Sequence, residues 1–387
     1  MRELRRLPMP DGPAVREVLP ALRAALAGTG PALLPGAAGS DPAVLGQLGS
    51  AEDTTAVVVE TSGSTGLAKQ VMLSAEALRA SANATHARLG GQGHWLLAMP
   101  AHHIAGIQVL IRALLANTEP GVLALAGGFR AQAFADAAER VLREPGRHYT
   151  ALVPTQLVRL LDEGGAGLAA LSRFDAVLLG GAATPSSLRA RAEQHGVPVV
   201  TTYGMSETAG GCVYDQHPLA GVRIEVDSTT PDGSGAITIA GPMLAHGYRG
   251  EPEQTAQAFA SGRFHTGDLG RLLPDGRLEV LGRADDMIVT GGVNVPPVLV
   301  ERALAGVPGV REVCVLGVPN REWGAAVGAA VVPTGSEPDL EELRGAVREQ
   351  VGKAAVPKQF VFVPELPLRG PGKPDREILR NLFTPSA

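Results

Sequence analysis

The sequence predicts an α/β fold, with a large N-terminal α/β domain that carries a β-rich subdomain and a small α+β C-terminal domain. Three observations lead there. Short β-branched runs alternate with amphipathic helical patterns through the first half of the chain. From Gly221 onward the texture becomes short strand-like pieces separated by Pro, Asp and Gly, and beyond Arg283 a compact series of helices and strands closes the sequence.

The early strands are read at 55–59, 152–154, 176–179 and 197–203. They are short β-branched runs that alternate with amphipathic helices, the pattern of a buried and mainly parallel sheet. A helix is read from Ser74, a good N-cap with Glu76 in the first turn, to near Gly90, and an alanine-rich helix with an apolar stripe at 130–143. The β-rich part contributes strands at 235–239 and 277–281. The C-terminal part reads as a helix at 297–305, strands at 313–318 and 326–332, a helix at 340–351 and a strand at 359–363. That set has the size of a small independent domain, and the boundary is set close to Asp285, giving domains 1–284 and 285–387.

Composition narrows the function classes. The chain has 387 residues, 45% of them hydrophobic, enough for a large core and for more than a binding module. Its net charge of −5 and the lack of basic runs interleaved with aromatics argue against a nucleic-acid partner. Arginines at 2, 5, 6, 16 and 23, mixed with Glu3, Asp11 and Glu17, break the apolar centre that a signal peptide needs, and no apolar window is long enough for a membrane span, so a cytoplasmic protein is expected. Cys212 and Cys314 are too far apart for a metal-ligand spacing and are read as ordinary thiols. Only four lysines occur, Lys69, Lys353, Lys358 and Lys373, which gives a lysine in a glycine-rich loop unusual weight.

That lysine ends the segment Thr61-Ser62-Gly63-Ser64-Thr65-Gly66-Leu67-Ala68-Lys69, which directly follows a predicted strand. Glycines let backbone N–H groups converge on an anion, hydroxyls add donors, and the ammonium supplies a point charge, so the segment reads as a phosphate cradle. It is not a Walker loop, because Lys69 lies three residues past Gly66 and is followed by Gln70.

The segment resembles the nucleotide loop of the adenylate-forming superfamily, which includes acyl-CoA synthetases, luciferases and the adenylation domains of peptide synthetases. Ala68 and Gln70 stand where that family usually has Pro and Gly. Four further segments match in the family's order, so the resemblance covers nearly the whole chain. Tyr203-Gly204-Met205-Ser206-Glu207 resembles its Y-G-x-T-E motif, which implies Tyr203 against the adenine, Ser206 on the α-phosphate and Glu207 on Mg²⁺. Thr266-Gly267-Asp268 and Gly282-Arg283-Ala284-Asp285 imply Asp268 on the ribose hydroxyls, Arg283 on ribose and phosphate, and Asp285 as the hinge of a mobile C-terminal domain. Gly372-Lys373-Pro374-Asp375-Arg376 resembles the G-K-x-x-R signature, which implies that Lys373 stabilises the charge growing on the α-phosphate, a role worth roughly 3–4 kcal/mol.

Three stretches carry a closer likeness, to the o-succinylbenzoate:CoA ligases of menaquinone biosynthesis: Trp95 to Gly106, Leu178 to Pro185, and Ser206 to Asp215, the last being the most diagnostic. The implied cofactors are ATP, Mg²⁺ and, as co-substrate, coenzyme A, and the implied partner is a small carboxylic acid. Its flat ring would sit against Gly180, Gly181, Gly210 and Gly211, with Thr155 and Gln156, read as a loop after the strand at 152–154, as polar contributors. His103 is read either as a structural histidine or as a substrate contact, and His102 as structural or at the pocket rim. After adenylation the resemblance implies a domain rotation about Asp285 that removes Lys373 and turns Gly291 and Gly292 to the CoA channel. It also allows a homodimer, though no segment marks an interface. The alternatives are a ligase for another aryl or acyl acid, an adenylation enzyme loading a carrier protein, and a non-catalytic adenylate-binding protein. Retention of Lys69, Glu207, Asp268, Arg283 and Lys373 argues against the last.

Overall fold

The computed structural model describes residues 1–37, 50–61, 69–228, 230, 233–368 and 374–383, and among them four sheets organise the chain. The seven-stranded sheet runs in the order His217–Pro218, Gly210–Tyr214, Val199–Met205, Ala176–Leu179, His148–Leu152, His94–Leu97, Gly121–Val122. From Val199–Met205 across to Gly121–Val122 all neighbours are parallel, and the two strands that follow Val199–Met205 in sequence return antiparallel. Successive side chains on these strands point to opposite faces. Trp95, Leu97 and Leu178 enter one core with the helices Ala75–Arg88 and Ile104–Leu115, whereas Leu96, Val177 and Leu179 enter another with Ala131–Leu142 and Pro154–Glu163.

The six-stranded sheet is ordered Gly247–Tyr248, Lys69–Ser74, Thr55–Thr61, Ala32–Ala37, Arg2–Met9, Ser50–Ala51. Thr55–Thr61 and Lys69–Ser74 form an antiparallel hairpin whose last pair is Thr61 with Lys69. Ser74 then caps Ala75–Arg88, its hydroxyl accepting from the Ala77 N–H at 3.0 Å. The strand Arg2–Met9 lies among residues that the sequence offered only as a charged N-terminal stretch. Its Arg2 guanidinium is absorbed by backbone carbonyls of Gly30, Ala25 and Thr55.

The third sheet is antiparallel, Arg223–Ser228, Gly235–Ala240, Phe264–Leu272 and Leu278–Arg283, in the β-rich region expected from Gly221 onward. The last sheet joins Ile288–Thr290, Val293–Val295, Val310–Asn320, Gly324–Pro333 and Gln359–Phe362, and with Pro297–Ala305 and Leu340–Gln350 it buries Val300, Leu304, Val315, Val331, Leu343 and Val347.

Two elements differ from the sequence reading. The strand expected at 152–154 is His148–Leu152, and Pro154 instead opens the helix Pro154–Glu163. A proline has no N–H to lose and a preset φ, so it suits the first position of a helix and not the interior of a sheet. Thr155 and Gln156 therefore belong to a helical first turn and not to a loop. The strand expected at 197–203 runs Val199–Met205, starting just past Pro198.

Candidate functional site

In an open parallel sheet, ligands bind beyond the carboxyl ends of the strands. Here those ends deliver the segments after Leu97, Leu152, Leu179 and Met205, which contain His103, Thr155, Gln156, Gly180, Gly181 and Ser206. Backbone crowding fixes the glycines among them. A Cβ on Gly204 would lie 2.2 Å from the Gly210 carbonyl oxygen, and one on Gly180 would meet the Thr202 hydroxyl at 2.3 Å. Gly181 and Gly210 adopt φ of +83° and +97°, a region open to glycine at little cost.

Met205 leads into the short turn Ser206–Thr208, closed when Thr208 Oγ1 accepts from the Met205 N–H at 2.9 Å and donates to the Gly210 carbonyl at 2.7 Å. Ser206 is buried in this turn. The Glu207 carbonyl accepts from the Ala245 N–H at 2.8 Å, which leaves the Glu207 carboxylate beside the strand Gly247–Tyr248. That strand pairs with Lys69–Ser74, placing Tyr248 opposite Val71. The Tyr248 hydroxyl donates to Glu207 Oε1 at 2.9 Å, and the Lys69 ammonium stands 5.0 Å from the centre of the Tyr248 ring.

A second group forms where the antiparallel sheet meets Val199–Met205. The Tyr203 hydroxyl donates to Asp268 Oδ2 at 2.7 Å, and the Arg283 Nε lies 3.7 Å from Asp268 Oδ1. Arg283 also holds Asp285 at 3.1 Å and the Thr266 carbonyl at 3.2 Å. Burial raises the Asp268 carboxyl above its ordinary range, while the Tyr203 bond and the Arg283 guanidinium pull it back. Burial, reinforced by the Asp268 charge, keeps the Tyr203 phenol protonated. Asp285 moves the other way, held ionised by Arg283.

Thus Lys69 and Glu207 come together through Tyr248, and Tyr203, Asp268, Arg283 and Asp285 through direct bonds. Ser62, Gly63, Ser64, Thr65, Gly66 and Lys373 lie outside the described residues, although Thr61 and Lys69, which pair across the mouth of the first segment, lie within them. Gln156 is committed to backbone: its side chain accepts from the Val153 N–H at 3.0 Å and donates to the Ala98 carbonyl at 2.8 Å. His103 stands at the N-cap position of Ile104–Leu115, its ring tilted against that of His102 with centroids 4.2 Å apart. Gly291 and Gly292, with φ of +56° and +79°, make the two-residue turn between Ile288–Thr290 and Val293–Val295, 285 to 295 being well beyond the first group of residues in sequence. A surface depression of about 570 Å³ beside Leu26, Glu76, Arg79 and Asn83 contains none of these residues.

Sequence reasoning missed Tyr248, which carries no motif signal of its own and enters only through its strand pairing. It also missed a buried polar cluster under Gly210, where Arg112 lies 4.9 Å over the Trp95 ring and donates to the Tyr214 hydroxyl at 3.5 Å.

A mixed, mainly parallel sheet flanked by a second sheet and an antiparallel one, with acidic, basic and phenolic side chains paired where they meet, is the architecture of a nucleotide-activating enzyme. The chain belongs to the AMP-binding enzyme family: the family model matches residues 25–249, and the model of the AMP-binding enzyme C-terminal domain matches residues 299–373. A probable 2-succinylbenzoate–CoA ligase of Mycobacterium tuberculosis is 44% identical over 99% of this chain and 100% of its own length. The 2-succinylbenzoate–CoA ligase of Geobacillus kaustophilus is 34% identical over 94% of this chain and 76% of its own. Among solved structures, the amide bond synthetase of Marinactinospora thermotolerans superposes with a TM-score of 0.75 at 31% identity, covering 92% of this chain and 76% of that one. The O-succinylbenzoate coenzyme A synthetase of Bacillus subtilis in complex with AMP superposes with a TM-score of 0.70 at 27% identity, covering 86% and 69%. No helix among the described residues is long and apolar enough to cross a membrane.

Proposed function

We propose that this chain is an AMP-forming acid:CoA ligase that activates 2-succinylbenzoate with ATP and passes the acyl group to coenzyme A, a step of menaquinone biosynthesis in the cytoplasm. The observation that carries the reading is that strands of three sheets bring the site's side chains into two contact groups, Lys69 and Glu207 on the ring and hydroxyl of Tyr248, and Tyr203 and Arg283 on Asp268. Their chemistry matches ATP part by part. Thr61, Ser62, Gly63, Ser64, Thr65, Gly66 and Lys69 hold the phosphates, Ser206 the α-phosphate, Tyr203 the adenine, and Asp268 with Arg283 the ribose. The acid is supported by the names of the full-length relatives.

Mg²⁺ suits this site. Among the described residues no group of three His, Cys, Asp or Glu could cage a metal. A single carboxylate, Glu207, is what an ion that keeps its waters and binds through phosphate oxygens requires. Mg²⁺ supplies charge neutralisation for the phosphates. The remaining work falls to the chain: the acid's carboxylate attacks the α-phosphorus, pyrophosphate leaves, and Lys373 offsets the growing charge without any protein nucleophile. The CoA thiol then attacks the acyl carbonyl and AMP leaves.

The same reading divides the chain at Asp285 into 1–284 and 285–387. In support, the core around Val300, Val315 and Leu343 draws only on residues from Ile288 onward, and the cores of the larger sheets only on residues up to Val280. The ring of the acid rests against Gly180, Gly181, Gly210 and Gly211, with His103, Thr155 and Gln156 at the edge, and Gly291 and Gly292 face the CoA channel after rotation.

Pyrophosphate release and thioester formation, measured with ATP, Mg²⁺, CoA and 2-succinylbenzoate beside benzoate, fatty-acid and amino-acid controls, test the reading. Selective thioester formation from 2-succinylbenzoate is expected. Turnover of another acid would keep the chemistry and sink the substrate, transfer to an amine in place of CoA would reassign the second step, and no adenylation of any acid would return the chain to a binding role.

A further inference from the structure

We propose that Tyr248 is a positioning residue for the first half-reaction: its ring carries the Lys69 ammonium on one side while its hydroxyl fixes the Glu207 carboxylate, holding the two apart so that neither neutralises the other. The inference rests on the ATP-binding reading above and adds to it a residue that lies in none of the motif segments named above.

The geometry is over-determined. Tyr248 is only 5% exposed. Its backbone N–H donates to Thr255 Oγ1 at 2.9 Å, its strand pairs with Lys69–Ser74, and the Phe259 ring packs against its edge with centroids 5.6 Å apart. Gly247 before it has φ of +152°, and a Cβ there would lie 2.5 Å from Thr255 Cγ2, so the Thr255 side chain packs closely against this strand. Thr255 and Phe259 thus hold the ring from outside its contacts with the Lys69 ammonium and the Glu207 carboxylate.

An ammonium and a carboxylate that both contact one tyrosine attract each other. Among the described ion pairs none joins Lys69 to Glu207: the ammonium lies over the Tyr248 ring and the carboxylate accepts from its hydroxyl. A cation over a tyrosine face keeps its charge, since the ring satisfies it through its quadrupole and not by proton transfer. A carboxylate that accepts one phenolic hydrogen on Oε1 keeps Oε2 directed by that bond. Both charges therefore stay available to a bound phosphate and its cation, and their orientation is set before either arrives, the form of preorganisation that costs least on binding.

Two substitutions separate the ring from the hydroxyl. Tyr248→Phe removes the bond to Glu207 and keeps the platform under Lys69, whereas Tyr248→Leu removes both. Calorimetric titration of ATP at a series of Mg²⁺ concentrations, with melting curves as a folding control, reads both effects without needing any acid or turnover. For Tyr248→Phe the Mg²⁺ concentration giving half-maximal ATP binding should rise about tenfold, and ATP binding without Mg²⁺ should stay within about twofold of wild type. For Tyr248→Leu, Mg²⁺-free ATP binding should also weaken by about tenfold. In the Glu207→Gln background, Tyr248→Phe should have no further effect on the Mg²⁺ dependence. A folded Tyr248→Phe protein with wild-type Mg²⁺ dependence, or effects that simply add in the Glu207→Gln background, would overturn the inference, and the Phe variant alone decides it should the Leu variant not fold. A wrong acid leaves these titrations intact and shows itself only in the thioester assay. Failure of the wild-type protein to bind ATP would remove the ATP reading and this inference together.

Discussion

Tyr203 and Asp268, 65 residues apart, share a hydrogen bond of 2.7 Å that ties the end of a parallel-sheet strand to the antiparallel sheet. The bond favours the charged form of a carboxylate that burial would otherwise push toward protonation. Removing the phenol should therefore raise the Asp268 pKa further. In Tyr203→Phe, the acid limb of kcat/KM for ATP should move to higher pH, since a protonated Asp268 no longer offers two acceptors to the ribose. Activity near neutrality should fall by about tenfold, the worth of one hydrogen bond to a charged group. An acid limb that stays in place, measured across pH 5–8 with saturating acid and CoA, would show that Asp268 is not the titrating group.

Much of this was legible in the sequence because glycines, hydroxyls and single charges at fixed spacing advertise local chemistry. Tyr203, Glu207, Asp268 and Arg283 are all named by short motifs, and the structure brings each into bonding distance of another site group. Residues recruited only by tertiary pairing left no such trace. Tyr248 gains its place from a two-residue strand beside Val71, a pairing that no periodicity announces. At Gln156 it was the loop reading that changed: Pro154 starts a helix, and the Gln156 amide accepts from the Val153 N–H at its cap. Arg2 entered the sequence reading only as one charge of the N-terminal stretch, and the structure seats its guanidinium on the Gly30 and Thr55 carbonyls.

The two crowded glycines should respond differently. At Gly204 the obstacle to a Cβ is backbone, the Gly210 carbonyl oxygen at 2.2 Å and Gly211 Cα at 2.6 Å, which cannot rotate away. At Gly180 it is the Thr202 hydroxyl, which can give up its 3.2 Å bond to the Leu179 carbonyl and turn. Gly204→Ala should cost about 3 kcal/mol or fail to fold, and Gly180→Ala about 1 kcal/mol, read from chemical denaturation midpoints at constant slope. Equal losses would mean that the strand pair Val199–Met205 and Gly210–Tyr214 relaxes as easily as a side chain.

His86 supplies a pH dependence of stability away from the site. It is 4% exposed, accepts the Trp95 indole N–H at 3.2 Å, and has its pKa lowered to about 4 by burial and then by the Arg112 charge. The unfolded chain, with an ordinary histidine, binds a proton between about pH 6.5 and pH 4 that the folded chain refuses. Stability contributed by the neutral ring is therefore complete above about pH 6.5 and declines as pH falls toward 4, by about 3 kcal/mol. His102 and His246 are lowered by burial too and act with the same sign, so the difference between wild type and His86→Gln isolates this site. The glutamine retains an acceptor for Trp95 but cannot titrate, and its denaturation curve should lose about that much pH dependence. Parallel pH profiles for the two proteins would place the acid sensitivity elsewhere.

Lys373 can be tested by separating the two half-reactions. Its segment is anchored on both sides by described residues: Leu368 bridges Pro374, the Asp375 N–H donates to the Pro367 carbonyl at 2.7 Å, and the Asp375 carboxylate caps the helix Arg376–Arg380. Arg376 follows at once and lies 3.4 Å from Asp286, next to Asp285, so the base of the segment is linked to the point about which rotation is proposed. A lysine carried on such a segment can matter in one orientation and be irrelevant in the other. Lys373→Ala should slow pyrophosphate release at least about a hundredfold, as expected for losing one preorganised charge at the reacting phosphate. The same protein, given synthetic 2-succinylbenzoyl-adenylate and CoA, should form thioester within about threefold of the wild-type rate, because the charge that Lys373 offsets develops only in the first step. Equal loss in both half-reactions would instead make the lysine a fixed element of the site and remove the need for rotation, whereas full adenylation activity would transfer its role to Lys69 or Arg283.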